Sequence, residues 1–132
     1  NDTATTEIYT LSLHDALPIL QLRTAEIQDR DADEFEKVIS ADNVQLVDVR
    51  TKDEFEAGHI TSSDIKNIDV KQADFAERAD DELDKGKTVA VYCRSGRRSA
   101  DAAKQLTEKG FKVVDLKGGI LEWQKRGKPT TR

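Results

Sequence analysis

The stretch Thr88-Val-Ala-Val-Tyr-Cys93-Arg-Ser-Gly-Arg-Arg98-Ser-Ala100 decides the fold. Thr88 to Tyr92 is a β-rich apolar run. From Arg97 the spacing turns helical and continues to Lys109, where Gly110 is a good stop residue. Between the two lies a short polar loop that Gly96 allows to turn tightly. Strand, tight loop and helix in that order make a strand-to-helix junction of an open α/β sheet, and sites in such sheets lie at the carboxyl ends of the strands. Successive N–H groups in such a loop converge as an anion nest at a helix N-terminus. The one cysteine of the chain, Cys93, opens this loop. The loop dipoles and Arg94, Arg97 and Arg98 together favour the thiolate, the reactive form of the side chain. A free cysteine is commonly a buried, inert residue. Three flanking arginines would not serve a purely apolar position, and they point to a charge-tuned thiol.

Outward from this stretch, strands and helices alternate. Asp31–Ser40 reads as a helix, with Phe35, Val38 and Ile39 on one face and a capping-box pattern at Asp31 and Glu34. Gln45–Val49 is a short apolar strand. Thr51 and Glu54 open a further helical turn that Gly58 closes. Asn67–Val70 reads as a strand, and Lys71–Asp84 as a helix with Phe75, Ala79 and Leu83 four apart. Val113–Leu116 is the next strand, and Ile120–Arg126 a last short helix ended by Gly127 and Pro129. Ala25–Ile27 is a weaker first strand. The alternation predicts an α/β domain, a mostly parallel sheet with helices on both faces.

At 132 residues the chain has room for one domain, long enough to need neither disulfide nor metal. One Cys excludes an internal disulfide and a two-cysteine redox motif, and two distant His residues speak against a metal site. No cofactor is called for. The net charge of −5 speaks against a nucleic-acid partner. No apolar run approaches the ~20 residues that span a bilayer, so a membrane protein is not expected. The charge is uneven. Between Asp84 and Asp101 there is no carboxylate, while Lys85, Lys87, Arg94, Arg97 and Arg98 give +5, leaving −10 for the rest. A cationic window in an acidic protein suggests a small-anion site, and Cys93 lies in it.

Residues 1–23 do not match the remainder of the chain and read as a leader outside the domain, which is expected to span 24–132. The chain starts without Met, as a fragment, a processed terminus or a mis-assembled one would. Residues Thr10–Ile19 are the translation of ACTCTTTCCCTACACGACGCTCTTCCGATC, part of a common sequencing-library adaptor. On that reading His14 and Asp15 carry no function; the other reading is a short helix stopped by Pro18. A soluble protein is expected, either cytoplasmic or exported after removal of a signal that would leave no trace.

The Cys93–Ser99 segment resembles the active-site loop of the rhodanese-like sulfurtransferases. Two further segments carry the resemblance. Leu46-Val-Asp48-Val-Arg50 followed by Glu54-Phe-Glu-Ala-Gly58-His59-Ile60 is similar to the family's first signature, and Leu116-Lys-Gly118-Gly119-Ile120 with Trp123 to its closing one. All three are in family order, over about Thr24 to Pro129. The resemblance implies a five-stranded parallel sheet and transfer of a sulfane sulfur through a cysteine persulfide. It makes Cys93 the sulfur-carrying nucleophile, cradled by Arg94, Ser95, Gly96, Arg97 and Arg98. The family usually continues Gly-His-Ile with Pro-Gly-Ala and then Asn-Ile. Here Thr61-Ser-Ser-Asp-Ile-Lys-Asn67-Ile68 is about two residues longer, which places a change at the pocket rim.

The implied partners are a small anionic sulfur donor such as thiosulfate and a thiol, cyanide or protein acceptor. Arginines would steady the dianionic donor and the leaving sulfite. Asp48 and Arg50 end another strand; they read as an ion pair ordering the next turn, with a charged pocket group as the alternative. His59 is a pocket or structural residue with no second ligand beside it. Trp123 reads as a core aromatic, and the acids from Asp74 to Asp84 as a solvated helix face. One rival function is a persulfide carrier or binding module that hands sulfur to a partner protein. The other is a cysteine-loop phosphatase. Phosphatases of the common kind place an arginine six positions after the cysteine, to grip phosphate bidentately. Here that position is Ser99, and Arg98 comes one residue sooner.

Overall fold

The structure is a computed structural model and describes residues 27–132. The leader 1–23, with Thr10–Ile19, and the expected strand residues Ala25 and Glu26 lie outside them. In chain order the elements are β1 (Ile27–Arg30), α1 (Ala32–Ile39), β2 (Val44–Asp48), α2 (Lys52–Ala57), β3 (His59–Ile60), β4 (Lys66–Asn67), α3 (Phe75–Glu82), β5 (Thr88–Tyr92), α4 (Arg97–Glu108), β6 (Val113–Leu116), α5 (Gly119–Lys125) and β7 (Thr130–Thr131). Five strands form one parallel sheet in the order β1-β6-β5-β2-β4. β5, the strand that leads to Cys93, is therefore central and flanked by β6 and β2.

Each face of the sheet is closed by its own core, as the period of two along a strand requires. Val47, Val89, Val91, Cys93 and Val113 pack against Phe75, Ala79 and Leu83 from the α3 region and Ala102, Ala103 and Leu106 of α4. The alternate residues Leu46, Ala90, Tyr92, Val114 and Leu116 pack against Ala32 and Phe35 of α1 and Ile120 and Trp123 of α5. Phe35 meets Trp123 edge to face at 6.3 Å between centroids. The Trp123 indole N–H donates to the Pro129 carbonyl at 2.9 Å, so this aromatic is a satisfied core residue. No helix among the described residues is long and apolar enough to cross a membrane.

Local chemistry sets the boundaries. Thr51 and Glu54 form the reciprocal capping box that opens α2. At α1 only half of that device is present: Asp31 accepts the Glu34 amide, and the Glu34 carboxylate lies 3.6 Å from Arg30 instead. α3 is shorter than its apolar spacing suggests, because Asp69–Phe75 is taken up by turns, with Gln72 N–H donating to Asp69 O and Phe75 N–H to Gln72 O. β4 keeps only two ladder residues, although Ile68 and Val70 still donate to Asp48 O and Val49 O. A second, two-stranded sheet of β3 and β7 clips the chain's end to the segment after α2.

The longer loop after Ile60 does not rim the Cys93 site. Ser63–Lys66 line a hollow with Val44, Gln45 and Lys87, at the amino ends of β2 and β5. The reason is topological: β4 runs parallel to β2, so the chain entering β4 must approach from the end of the sheet opposite Cys93.

Candidate active site

Cys93 follows the last residue of β5 and is 1% exposed. The loop turns back at once, and the Gly96 amide donates to Cys93 Sγ at 3.0 Å. Gly96 makes that possible with φ +106°, a conformation that side chains strain to adopt. It also stands as the N-cap of α4, so the unpaired amides of the first helical turn belong to the same loop. Among the described residues the N–H groups of Ser95, Arg97 and Arg98 are given to no backbone or side-chain acceptor. A thiolate, or an anion held over it, would therefore meet free donors at the positive end of a twelve-residue helix.

The loop is held from outside by the closing signature. Ile120 N–H donates to Cys93 O at 2.9 Å and Leu121 N–H to Arg94 O at 3.1 Å. In a trans peptide the N–H points away from the C=O of the same plane. Fixing those two carbonyls on α5 thus aims the Arg94 and Ser95 amides away from α5. The approach is so close that a Cβ on Gly119 would lie 2.3 Å from Arg94 O, and Gly119 itself sits at φ +65°. This is why a glycine is needed there.

The three arginines divide. Arg94 and Arg97 are exposed and have no carboxylate partner among the described residues. Arg98 is committed: its Nη1 and Nη2 donate to Glu54 Oε1 and Oε2 at 2.8 and 2.9 Å. Those bonds, with the Thr51 amide and hydroxyl, hold the Glu54 carboxyl down at about 2. Glu54 thereby ties the start of α2 to the first turn of α4. Ser95 is exposed at the loop's tip.

Asp48 and Arg50 form a buried pair at the carboxyl end of β2. Arg50 Nη2 lies 2.6 Å from Asp48 Oδ2, Nε 2.9 Å from Oδ1, and the Arg50 amide also donates to Oδ1 at 2.9 Å. The same guanidinium donates to Gly58 O at 2.6 Å and stands 5.6 Å from the Tyr92 ring centroid. The pair orders the chain on both sides of α2. Arg50 also lines a shallow cavity of about 260 Å³ with Glu54, Gly58, Arg94 and Leu121. His59 stacks on Phe55 at 4.1 Å, and its Nδ1 lies 3.0 Å from Phe55 O, the contacts of a residue that finishes α2. Among the described residues no group of three or more His, Cys, Asp and Glu is placed to hold a metal.

Sequence reasoning missed two carboxylates. Glu54 was legible as a helix cap and as part of the first signature, but not as the partner of Arg98. Asp115 interrupts the apolar run Val113-Val-Asp-Leu116, and that interruption was the one signal present. It is 5% exposed, on the α4 face of β6, and accepts the Ser99 hydroxyl at 2.6 Å.

A parallel sheet with a cysteine loop between its central strand and a long helix defines a recognised class of protein. Residues 31–126 match the family model of the rhodanese-like domain, and the chain belongs to that family. It is 35% identical to YtwF of Bacillus subtilis over 94 residues, 71% of this chain and 86% of that one. A sulfurtransferase of Allochromatium vinosum is 32% identical over 98 residues, 71% of this chain and 84% of that protein. The crystal structure of a rhodanese-related protein from Thermoplasma volcanium superposes with a TM-score of 0.68 at 29% identity, over 79% of this chain and 97% of that one.

Proposed function

We propose that this protein moves a sulfane sulfur from a small anionic donor of the thiosulfate kind to a thiophilic acceptor, through a persulfide on Cys93. Family membership and the likeness to a named sulfurtransferase support sulfur transfer in general. The observation that carries the finer reading is the tight closure of the loop on Sγ, with the Gly96 amide at 3.0 Å and further donors unpaired.

The Cys93 thiolate attacks the outer sulfur of thiosulfate. A Cys93 S–S bond forms, the donor's S–S bond breaks, and sulfite leaves with the electron pair. Arg94 and Arg97 offset the donor's charge. The terminal persulfide sulfur is then attacked by cyanide or a thiolate, which regenerates the Cys93 thiolate. The sequence holds no second cysteine beside Cys93 to take the sulfur, so the acceptor in this reading is cyanide, a thiol or a protein from outside it. A carrier that serves a single protein partner is the same chemistry with that acceptor. The phosphatase reading loses its clamp, since the arginine nearest the required position is held by Glu54.

Mass spectrometry after incubation with thiosulfate should show a gain of one sulfur atom on Cys93. Cys93→Ser should lose thiocyanate formation to background while keeping the fold. A Cys93→Ser protein with full turnover would overturn the mechanism. The same reading takes 24–132 as the domain and 1–23 as a leader. Deleting Asn1–Arg23 should change the unfolding free energy by less than about 1 kcal/mol, whereas the loss of a core element costs several.

A further inference from the structure

The Ser99 hydroxyl stands between two acceptors. It lies 2.6 Å from Asp115 Oδ1 and 3.3 Å from Gly96 O, and it carries one proton. Gly96 is the residue whose amide reaches Cys93 Sγ. Asp115 pairs with Val91 in the ladder, so it sits one alternate position from Cys93 on the same face, beneath the first turn of α4. A buried carboxyl is therefore joined to the thiol loop through one hydroxyl.

We propose that Asp115 is a positioning residue for the thiol: through Ser99 it sets the donor pattern of the Cys93 loop, and it sets it differently when protonated and when ionised. With Asp115 ionised, the shorter, charge-assisted bond takes the Ser99 proton and the Gly96 carbonyl receives none from it. With Asp115 protonated, the acid donates to Ser99 Oγ and Ser99 turns its own proton to Gly96 O. That carbonyl shares a peptide plane with the Arg97 N–H, so polarising one strengthens the other as a donor to the loop.

The surroundings allow Asp115 to change state. Its facing groups are Asp29, opposite it across the β1 ladder, Ser99 on α4, and the Cys93 thiol beyond Val91 on β5. Arg97 is exposed, and Arg98 is held by Glu54. Burial raises the Asp115 carboxyl to about 6, with the Ser99 bond opposing and Asp29 adding. The switch therefore falls in the mildly acid range.

The inference assumes, with the proposed function, that Cys93 is the working thiol, but its test reads alkylation and not sulfur transfer. The rate of Cys93 modification by iodoacetamide is followed by intact mass from pH 4.5 to 8. The wild type should show an inflection between pH 5 and 7 beyond the thiol's own ionisation. Asp115→Asn, fixed in the neutral form, should lose that inflection and react about fivefold faster at pH 7.5. Ser99→Ala should lose the inflection too. In the unmodified protein the Gly96 and Arg97 amide resonances should titrate over the same range, a readout that needs no variant to fold. Profiles of unchanged shape in both variants, or amide resonances flat through that range, would overturn the proposal. Failure of sulfur loading with these profiles intact would instead overturn the sulfurtransferase reading alone.

Discussion

Asp48 and Asp115 are buried carboxylates on the two strands that flank β5, one on each face of the sheet. Asp48 has a guanidinium and a backbone amide as partners. Asp115 has one hydroxyl and, across the β1 ladder, another carboxylate. Burial alone does not decide what a buried acid does; its partners do. A cation with several hydrogen bonds turns such an acid into a fixed joint, and a lone hydroxyl leaves it free to change protonation state.

The largest effect should come from breaking the joint. Arg50→Ala leaves the Asp48 charge buried without its partner and should cost about 3–5 kcal/mol in denaturant unfolding. A loss under about 1 kcal/mol would mean that the pair is not the joint described.

Asp115 should act with the opposite sign. The folded protein holds its proton more tightly than the unfolded chain, with the carboxyl raised from 3.8 to about 6. Stability from this group is thus full below about pH 4 and falls as pH rises through 6. Asp115→Asn should unfold at higher denaturant concentration at pH 7, by about 3 kcal/mol, and the two proteins should converge toward pH 4. A difference that stays constant from pH 4 to 7 would erase the contrast with Asp48.

Glu54 sharpens the comparison as a partly exposed acid with a cation. Its carboxyl is held at about 2 against an ordinary 4.5, so its contribution is present above pH 4.5 and fades as pH falls to 2. Glu54→Gln should cost about 1 kcal/mol at neutral pH, less than the buried pair because water and salt screen it. Loss of this term by pH 2 in the wild type, seen by thermal melts, is the check.

The sequence made legible what rests on local periodicity and turn chemistry. β5 and β6 fall where the apolar runs stand, Gly96 marks the loop, and Thr51 with Glu54 caps α2. Of the expected strand Ala25–Ile27 only Ile27 is described, and it opens β1; the continuation to Arg30 is a polar edge strand placed by its ladder with β6 and not by any apolar pattern. The β3–β7 clip has two residues per strand, too few to show a period. The candidate loop could be read from Cys93 and its arginines. Which arginine stays free could not, since Arg98 meets Glu54 across 44 positions of sequence. Asp115 was visible as a charge in an apolar strand, but its link to Ser99 exists only once β6 lies under α4.

The glycine that lets α5 touch the carbonyls of Cys93 and Arg94 has a consequence for the order in which the molecule is built. During synthesis β5 and the thiol leave the ribosome before the residues that anchor their loop. Until Gly118–Leu121 arrive, the amides around Cys93 have nothing to orient them. The nascent chain therefore carries an uncradled cysteine for a time, and a chain ending before Gly118 would carry one permanently. Orientation of the loop therefore waits on residues made after β5 and α4 are already complete.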